Sequence, residues 1–220
     1  MFVSSGRISI EDFSGLLPLI HRMNEQAMSL PILDADPAAI RTRSHDPALV
    51  DSLVQQHYPH VQRFALSILN DPDEAEDAAQ EALIAAVGSL GKFRGDSSFK
   101  TWLFGITLNV CRGRIRKQRM RSSVTQALQM AHLVSGSAPS PEDATARMEM
   151  DGALWKAVDG LDEGHRTVVI MKYVHELPVR DIAQIMGINE GTVHSRLHYA
   201  RKTLAQRLAE HHAMERGAGR

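Results

Sequence analysis

Arg112, Arg114, Arg116, Lys117, Arg119 and Arg121 place six bases within ten residues, with no acid among them. At that density guanidinium and ammonium groups suit the neutralisation of a row of phosphates; a solvated basic face is the plain alternative. A second set of donors lies near the C-terminus. Gly191, Ser195, His198, Tyr199 and Lys202 fall on one side of a helix at about 100° per residue, with Thr192, His194, Arg196 and Arg201 on its flanks. Such side chains bond to phosphates and to base edges. Groups for covalent or metal chemistry are wanting. The chain has no Gly-rich phosphate loop, no serine nucleophile turn and no zinc-binding HExxH helix, so no catalytic residue is assigned and no enzyme is expected. His194 and His198 stand four apart without a third ligand at useful spacing, so neither a metal nor a cofactor is expected. Cys111, the single cysteine, cannot form an internal disulfide, which fits a reducing compartment. It reads as a small buried side chain rather than a sensor, although Arg112 and Arg114 could lower its pKa if it were exposed.

The charge totals, 25 basic against 26 acidic residues and a formal net charge of −1, argue alone against a nucleic-acid partner. Their distribution says otherwise. Asp71, Asp73, Glu74, Glu76, Asp77 and Glu81 form an acidic stretch with no base, so two opposite surfaces belong to one domain. With 220 residues, 43% of them hydrophobic, the chain can build real cores. No apolar run approaches the roughly 20 residues that cross a bilayer, and the N-terminus lacks a secretion signal, so no membrane insertion and a cytoplasmic location are expected.

The elements that position these groups follow from periodicity and punctuation. Residues 1–47 are a head interrupted by Pro18, Pro31, Pro37 and Pro47, and residues 48–122 are a helical block. Residues 123–147, which include VSGSAPSPED, read as a flexible linker; a second helical block covers 148–212 and a tail 213–220. No stretch alternates with strand period, so the fold class is all-α, two helical domains joined by the linker.

Within the first block, Asp73 to Val87 is a helix with its acids in the first turns, as the helix dipole favours. Gly95 and Asp96 make a turn, Ser97 or Ser98 caps a helix starting near Phe99, and Trp102, Leu103, Ile106 and Val110 supply its core contacts. Phe93, Phe99, Trp102 and Phe104 could stack on unpaired bases. For Trp102 and Phe104 the core is the favoured place. In the second block Val193, Leu197, Ala200, Leu204 and Leu208 make a core stripe with offsets of 4, 3, 4 and 4. Gly187 can take the left-handed conformation that ends the preceding helix, Ala183 allows close approach, and Asn189 can cap the next helix. That is the grammar of a helix-turn-helix.

AEDAAQEALIAAV, FRGDSSFKTWLFGITLNVCRGRIRKQ and EGTVHSRLHYARKTL, in this order across residues 48 to about 210, resemble the extracytoplasmic-function (ECF) class of bacterial sigma factors of the sigma-70 family. The resemblance implies a dissociable specificity subunit of RNA polymerase that directs it to promoters and promotes melting, with region 2 at 48–122 and region 4 at 148–212. It implies that Asp77, Gln80, Glu81 and Leu83 meet the clamp helices of the largest polymerase subunit. Lys100, Trp102, Asn109, Arg112, Arg114, Arg116 and Lys117 would hold the separated strand of the minus-ten element. Thr192, His194, Ser195, Arg196, His198, Tyr199, Arg201 and Lys202 would read the double-stranded minus-thirty-five element. Base capture is physically sensible because a stacked base hides its Watson–Crick edge, and unstacking costs a few kcal/mol that specific contacts must offset. A linker of about 25 residues spans at most ~80 to 90 Å, comparable with the separation of the two elements. An anti-sigma factor is a further implied partner, and nucleoid association follows when the polymerase is bound.

Some residues depart from the family pattern. His194 stands where Arg or Lys is usual, Tyr199 where Arg is common, and Ala85 and Val87 replace basic and aromatic residues on the core-binding helix. The head has no counterpart in a minimal member; it is a regulatory extension, or partly untranslated if Met23 or Met28 is the start. Two other readings stay open: a dimeric helix-turn-helix regulator, which leaves the FRGDSSFKTWL segment unexplained, and a sigma-like decoy for an anti-sigma factor, which would need neither basic surface.

Overall fold

The computed structural model describes residues 37–131 and 149–218. Most of the head and of the linker therefore lies outside the described residues. The chain divides into two compact units. The first contains α1 (Pro37–Thr42), α2 (Pro47–Leu69), α3 (Pro72–Ser89), a 3₁₀ turn (Leu90–Lys92) and α4 (Phe99–Ala131). The second contains α5 (Glu149–Asp159), α6 (Glu163–Val169) running into a π turn (Ile170–Val174), α7 (Val179–Met186) and α8 (Glu190–Ala218). Among the described residues there is no strand, as the periodicity requires.

Local chemistry sets the helix ends of the first unit. Asp46 accepts a hydrogen bond from the Ala48 amide with Pro47 in the first turn, and Asp71 accepts one from the Glu74 amide at 3.0 Å with Pro72 behind it. Asn70, at φ 57°, takes the left-handed position that closes α2. Gly95, at φ +79°, makes the expected turn before α4, and Ser98 rather than Ser97 caps that helix by accepting from the Thr101 amide at 3.0 Å.

The buried side of α3 is almost all alanine, with Ala75, Ala78, Ala79, Ala82 and Ala86 beside Leu83, which lets its backbone approach α2 and α4 closely. Ile40 of α1 is fully buried in this core, so the packed unit begins before residue 48, inside the segment read as the head. At its other end α4 continues to Ala131, nine residues past the expected boundary at 122. The reason is composition: Gln126, Ala127, Leu128, Gln129 and Met130 are good helix formers, and the Ser, Gly and Pro residues that break helices come only later.

The second unit closes on Leu154, Ala157, Val158, Leu161, Val169, Ala200 and Leu204. Val193, Leu197, Ala200 and Leu204 are all buried, so the stripe read from the sequence is the core side of α8. The turn before it is as expected. Gly187 has φ +66°, the Ile188 amide donates back to the Ala183 carbonyl at 3.0 Å, and the Asn189 side chain accepts from the Thr192 amide at 2.7 Å. This combination, a glycine stop followed at once by an asparagine cap, fixes where α7 ends and α8 begins.

Candidate polymerase and nucleic-acid interfaces

On α3 the caps and the alanine face leave the acids outside. Glu74, Asp77 and Glu81 stand three and four residues apart, one stripe along the helix. Arg114 of α4 reaches across to that stripe, donating to Glu74 at 2.7 Å and to Glu81 at 2.9 Å, with Asp77 at 3.7 Å. Burial opposes the charge of the Arg114 guanidinium, but the hydrogen bonds to Glu74 and Glu81 outweigh it and raise its pKa above the ordinary value. Beside this network runs a groove of about 880 Å³ whose lining includes Asn109, Gly113, Lys117 and Arg121 of α4.

Asp77, Gln80 and Glu81 are exposed. Leu83 is not: at 7% exposure it belongs to the core, and its burial leaves it nothing to offer a partner. Ile84, the next residue, is 74% exposed and, with the less exposed Val87, is an apolar side chain that α3 presents outward. Helical spacing favours this outcome, since 84 continues the exposed row of 77, 80 and 81 whereas 83 continues the buried row of Ala75 and Ala79.

Along α4, Asn109, Arg116 and Lys117 are exposed, while Lys100 and Arg112 are half-buried. The Lys100 ammonium lies 5.5 Å from the centroid of the Phe104 ring. Arg114 sits apart from this group, committed to the acids of α3 rather than standing on an open basic face. The bases therefore do not form one uniform phosphate surface, because a guanidinium facing three carboxylates satisfies its own unit first. Phe93 and Phe99 are buried and pack edge to face at 5.5 Å, and Phe104 is buried against Phe64 at 4.4 Å. Half-buried Trp102 leans on Phe93 and Phe99. These rings are core, and of the four only Trp102 shows part of its surface. Cys111 is fully buried, which pushes its thiol up to about 12, so its arginine neighbours do not make it a reactive thiolate.

On α8, His194, Ser195, His198, Tyr199 and Lys202 are exposed and Thr192, Arg196 and Arg201 are half-buried. The Thr192 hydroxyl donates to Asn189 and the Ser195 hydroxyl to the Thr192 carbonyl, so both are oriented by the helix start. Arg201 donates to the Leu197 carbonyl at 3.2 Å. Tyr199 meets a residue that sequence reasoning missed, His165 of α6, with ring centroids 4.6 Å apart. A separation of thirty-four positions leaves no local signal for that contact. Among the described residues no group of three or more metal-ligating side chains occurs, and no helix is long and apolar enough to cross a membrane.

Residues 53–121 match the family model for sigma-70 region 2, and residues 151–204 match that for sigma-70 region 4. Over 164 residues the chain is 30% identical to the ECF RNA polymerase sigma factor SigW of Bacillus subtilis, covering 72% of this chain and 88% of that protein. It is also 32% identical over 174 residues to the RNA polymerase sigma-H factor of Pseudomonas aeruginosa, covering 76% and 90%. This chain belongs to the ECF sigma factors. Among solved structures, the sigma factor RpoE in complex with the anti-sigma factor NepR from Bartonella quintana is similar at a TM-score of 0.52 and 25% identity, covering 72% of this chain and 95% of that one. An ECF sigma factor directs RNA polymerase to promoters, and its relatives are specificity subunits rather than enzymes. The matched regions fall one in each unit, in the order that the motifs required.

Proposed function

We propose a division of labour between the two units. Region 2, from α1 to α4, engages the clamp helices of the largest polymerase subunit through Asp77, Gln80, Glu81 and Ile84 of α3. Through Lys100, Trp102, Asn109, Arg112, Arg116 and Lys117 of α4 it holds the separated strand of the minus-ten element. Region 4, built from α5 to α8, reads the minus-thirty-five element with Ser195, His198, Tyr199 and Lys202, supported by Thr192, His194, Arg196 and Arg201. Melting needs no nucleotide hydrolysis, because binding energy for the extruded bases offsets the unstacking cost of a few kcal/mol. The protein works in the cytoplasm, at the nucleoid when in holoenzyme, and an anti-sigma factor is its natural antagonist, in keeping with the complexed relative.

One observation carries this reading of region 2. Acidic α3 and basic α4 pack together, so that Asn109 and Lys117 line one groove with Glu74, Asp77 and Glu81. A like-charged wall repels phosphate from one side of the groove and leaves the strand to follow the α4 side. Permanganate mapping of open complexes tests it: unpaired thymines should appear near minus ten with the unaltered protein and fade with Arg116→Ala and Lys117→Ala together. Undiminished reactivity in that variant contradicts the placement on α4.

A further inference from the structure

The exposed face of α8 is braced from outside the helix-turn-helix. Tyr199 is 55% exposed, yet its ring lies 4.6 Å from that of His165 at an interplanar angle of 39°. His165 sits in the first turn of α6, and its Nδ1 is hydrogen-bonded to the Asp162 carboxylate. The other oxygen of that carboxylate caps α6, accepting from the amides of Gly164 at 3.1 Å and His165 at 3.2 Å. The imidazole is thus held by a cap whose geometry the helix itself imposes.

An exposed tyrosine ordinarily samples several rotamers, and fixing one on binding costs entropy. A ring already packed against an anchored imidazole loses less of that freedom when DNA arrives. A flat apolar ring on a helix that enters the major groove suits the thymine methyl group, which distinguishes T·A from the other pairs.

We propose that His165 is a positioning residue for upstream promoter recognition, holding the Tyr199 ring so that it meets the thymine methyl of one base pair. The proposal rests on the reading of the exposed α8 face as the upstream-element surface. It makes specificity a property of two elements, the reading helix α8 and the capped start of α6.

The test uses the full chain with core polymerase on a promoter library randomised across the upstream element, with Tyr199→Ala, His165→Ala, the double variant and His165→Phe. Tyr199→Ala should lower the thymine preference at one position by about five- to tenfold. His165→Ala should lower it at that same position, and the double variant should add nothing further. His165→Phe, which keeps a ring against Tyr199 but loses the bond to Asp162, should restore part of the preference, a rescue that mere support of α6 would not give. It also serves as the probe if His165→Ala does not fold, as thermal unfolding would show. The proposal fails if His165→Ala leaves the preference intact while Tyr199→Ala abolishes it, if the two effects fall at different positions or add, or if His165→Phe is no better than His165→Ala. An unchanged preference in Tyr199→Ala overturns both the proposal and the placement of the reading face.

Discussion

Arg114 and Glu81 are joined by a 2.9 Å hydrogen bond across thirty-three positions of sequence, tying the basic helix of region 2 to its acidic one. Glu74 takes the other end of the same guanidinium. An isolated surface pair contributes little, but here one fork serves two acids with Arg114 only 23% exposed, and its removal leaves three carboxylates facing one another. Arg114→Ala should lower the stability of region 2 by up to about 1 kcal/mol, read as a drop in its urea midpoint. Arg114→Lys, which lacks the bidentate fork, should recover only part of it. An unchanged midpoint in Arg114→Ala would remove the strut from the account.

Arg116 and Lys117 should behave in the opposite way. Both are exposed, so replacing either with Ala should change stability by less than about 0.5 kcal/mol. Each loss should instead reduce the slope of log affinity against log salt by about 0.7 for the single-stranded minus-ten element. Titration of holoenzyme with a fluorescent single strand at several salt concentrations reads both quantities. A slope unaffected by either change would place phosphate elsewhere.

Leu83 and Ile84 separate folding from polymerase binding on adjacent positions. Leu83→Ala creates a cavity in the core of region 2 and should cost about 2–4 kcal/mol. Ile84 is 74% exposed, so Ile84→Asp should leave the melting temperature nearly unchanged while weakening core polymerase binding by about tenfold. Equal loss of stability in both variants, or unimpaired binding by Ile84→Asp, would contradict the placement of Ile84 on the docking face.

Much of this architecture was legible because it is local. The glycine at 187, the asparagine at 189 and the stripe from Val193 to Leu204 each act within a turn or two, and each stands where its chemistry requires. The acids of α3 were likewise recognisable as a surface. What sequence could not disclose was the partner chosen across the fold. Arg114 looks like any other base of its run until α3 packs beside it, and nothing around His165 in the sequence marks its contact with Tyr199. Leu83 and Ile84 are separated by helical period, since 83 follows the buried alanines at 75 and 79 and 84 follows the exposed residues at 77, 80 and 81, but an inner face made of alanine draws the eye to the leucine. The reach of α4 beyond 122 was missed because the Ser pair at 122 and 123 resembles a stop, although the residues after it favour helix.

Asp162 should make region 4 sensitive to acid. Burial tends to raise its pKa, but the hydrogen bonds from the His165 side chain and from the amides of His165 and Gly164 prevail, leaving the carboxyl below its ordinary value. A depressed folded-state pKa contributes stability that is present above the unfolded value of about 3.9 and is lost as pH falls through the folded value. Asp162→Ala should therefore cost about 1 kcal/mol near neutrality. That difference from the unaltered protein should shrink as pH falls from about 5 towards 3. Thermal unfolding across that range checks it, and a difference independent of pH would show that the cap does not act through the charged carboxylate.

The most direct measurement of the whole account is multi-round transcription from a randomised promoter pool by purified bacterial core polymerase, with and without this protein. Discrete transcripts that arise only with the protein, from templates sharing one upstream and one minus-ten sequence, are the expected result. Stable binding to core polymerase with no transcript would contradict promoter recognition, and a protein that binds DNA as a dimer without engaging core polymerase would contradict the account altogether.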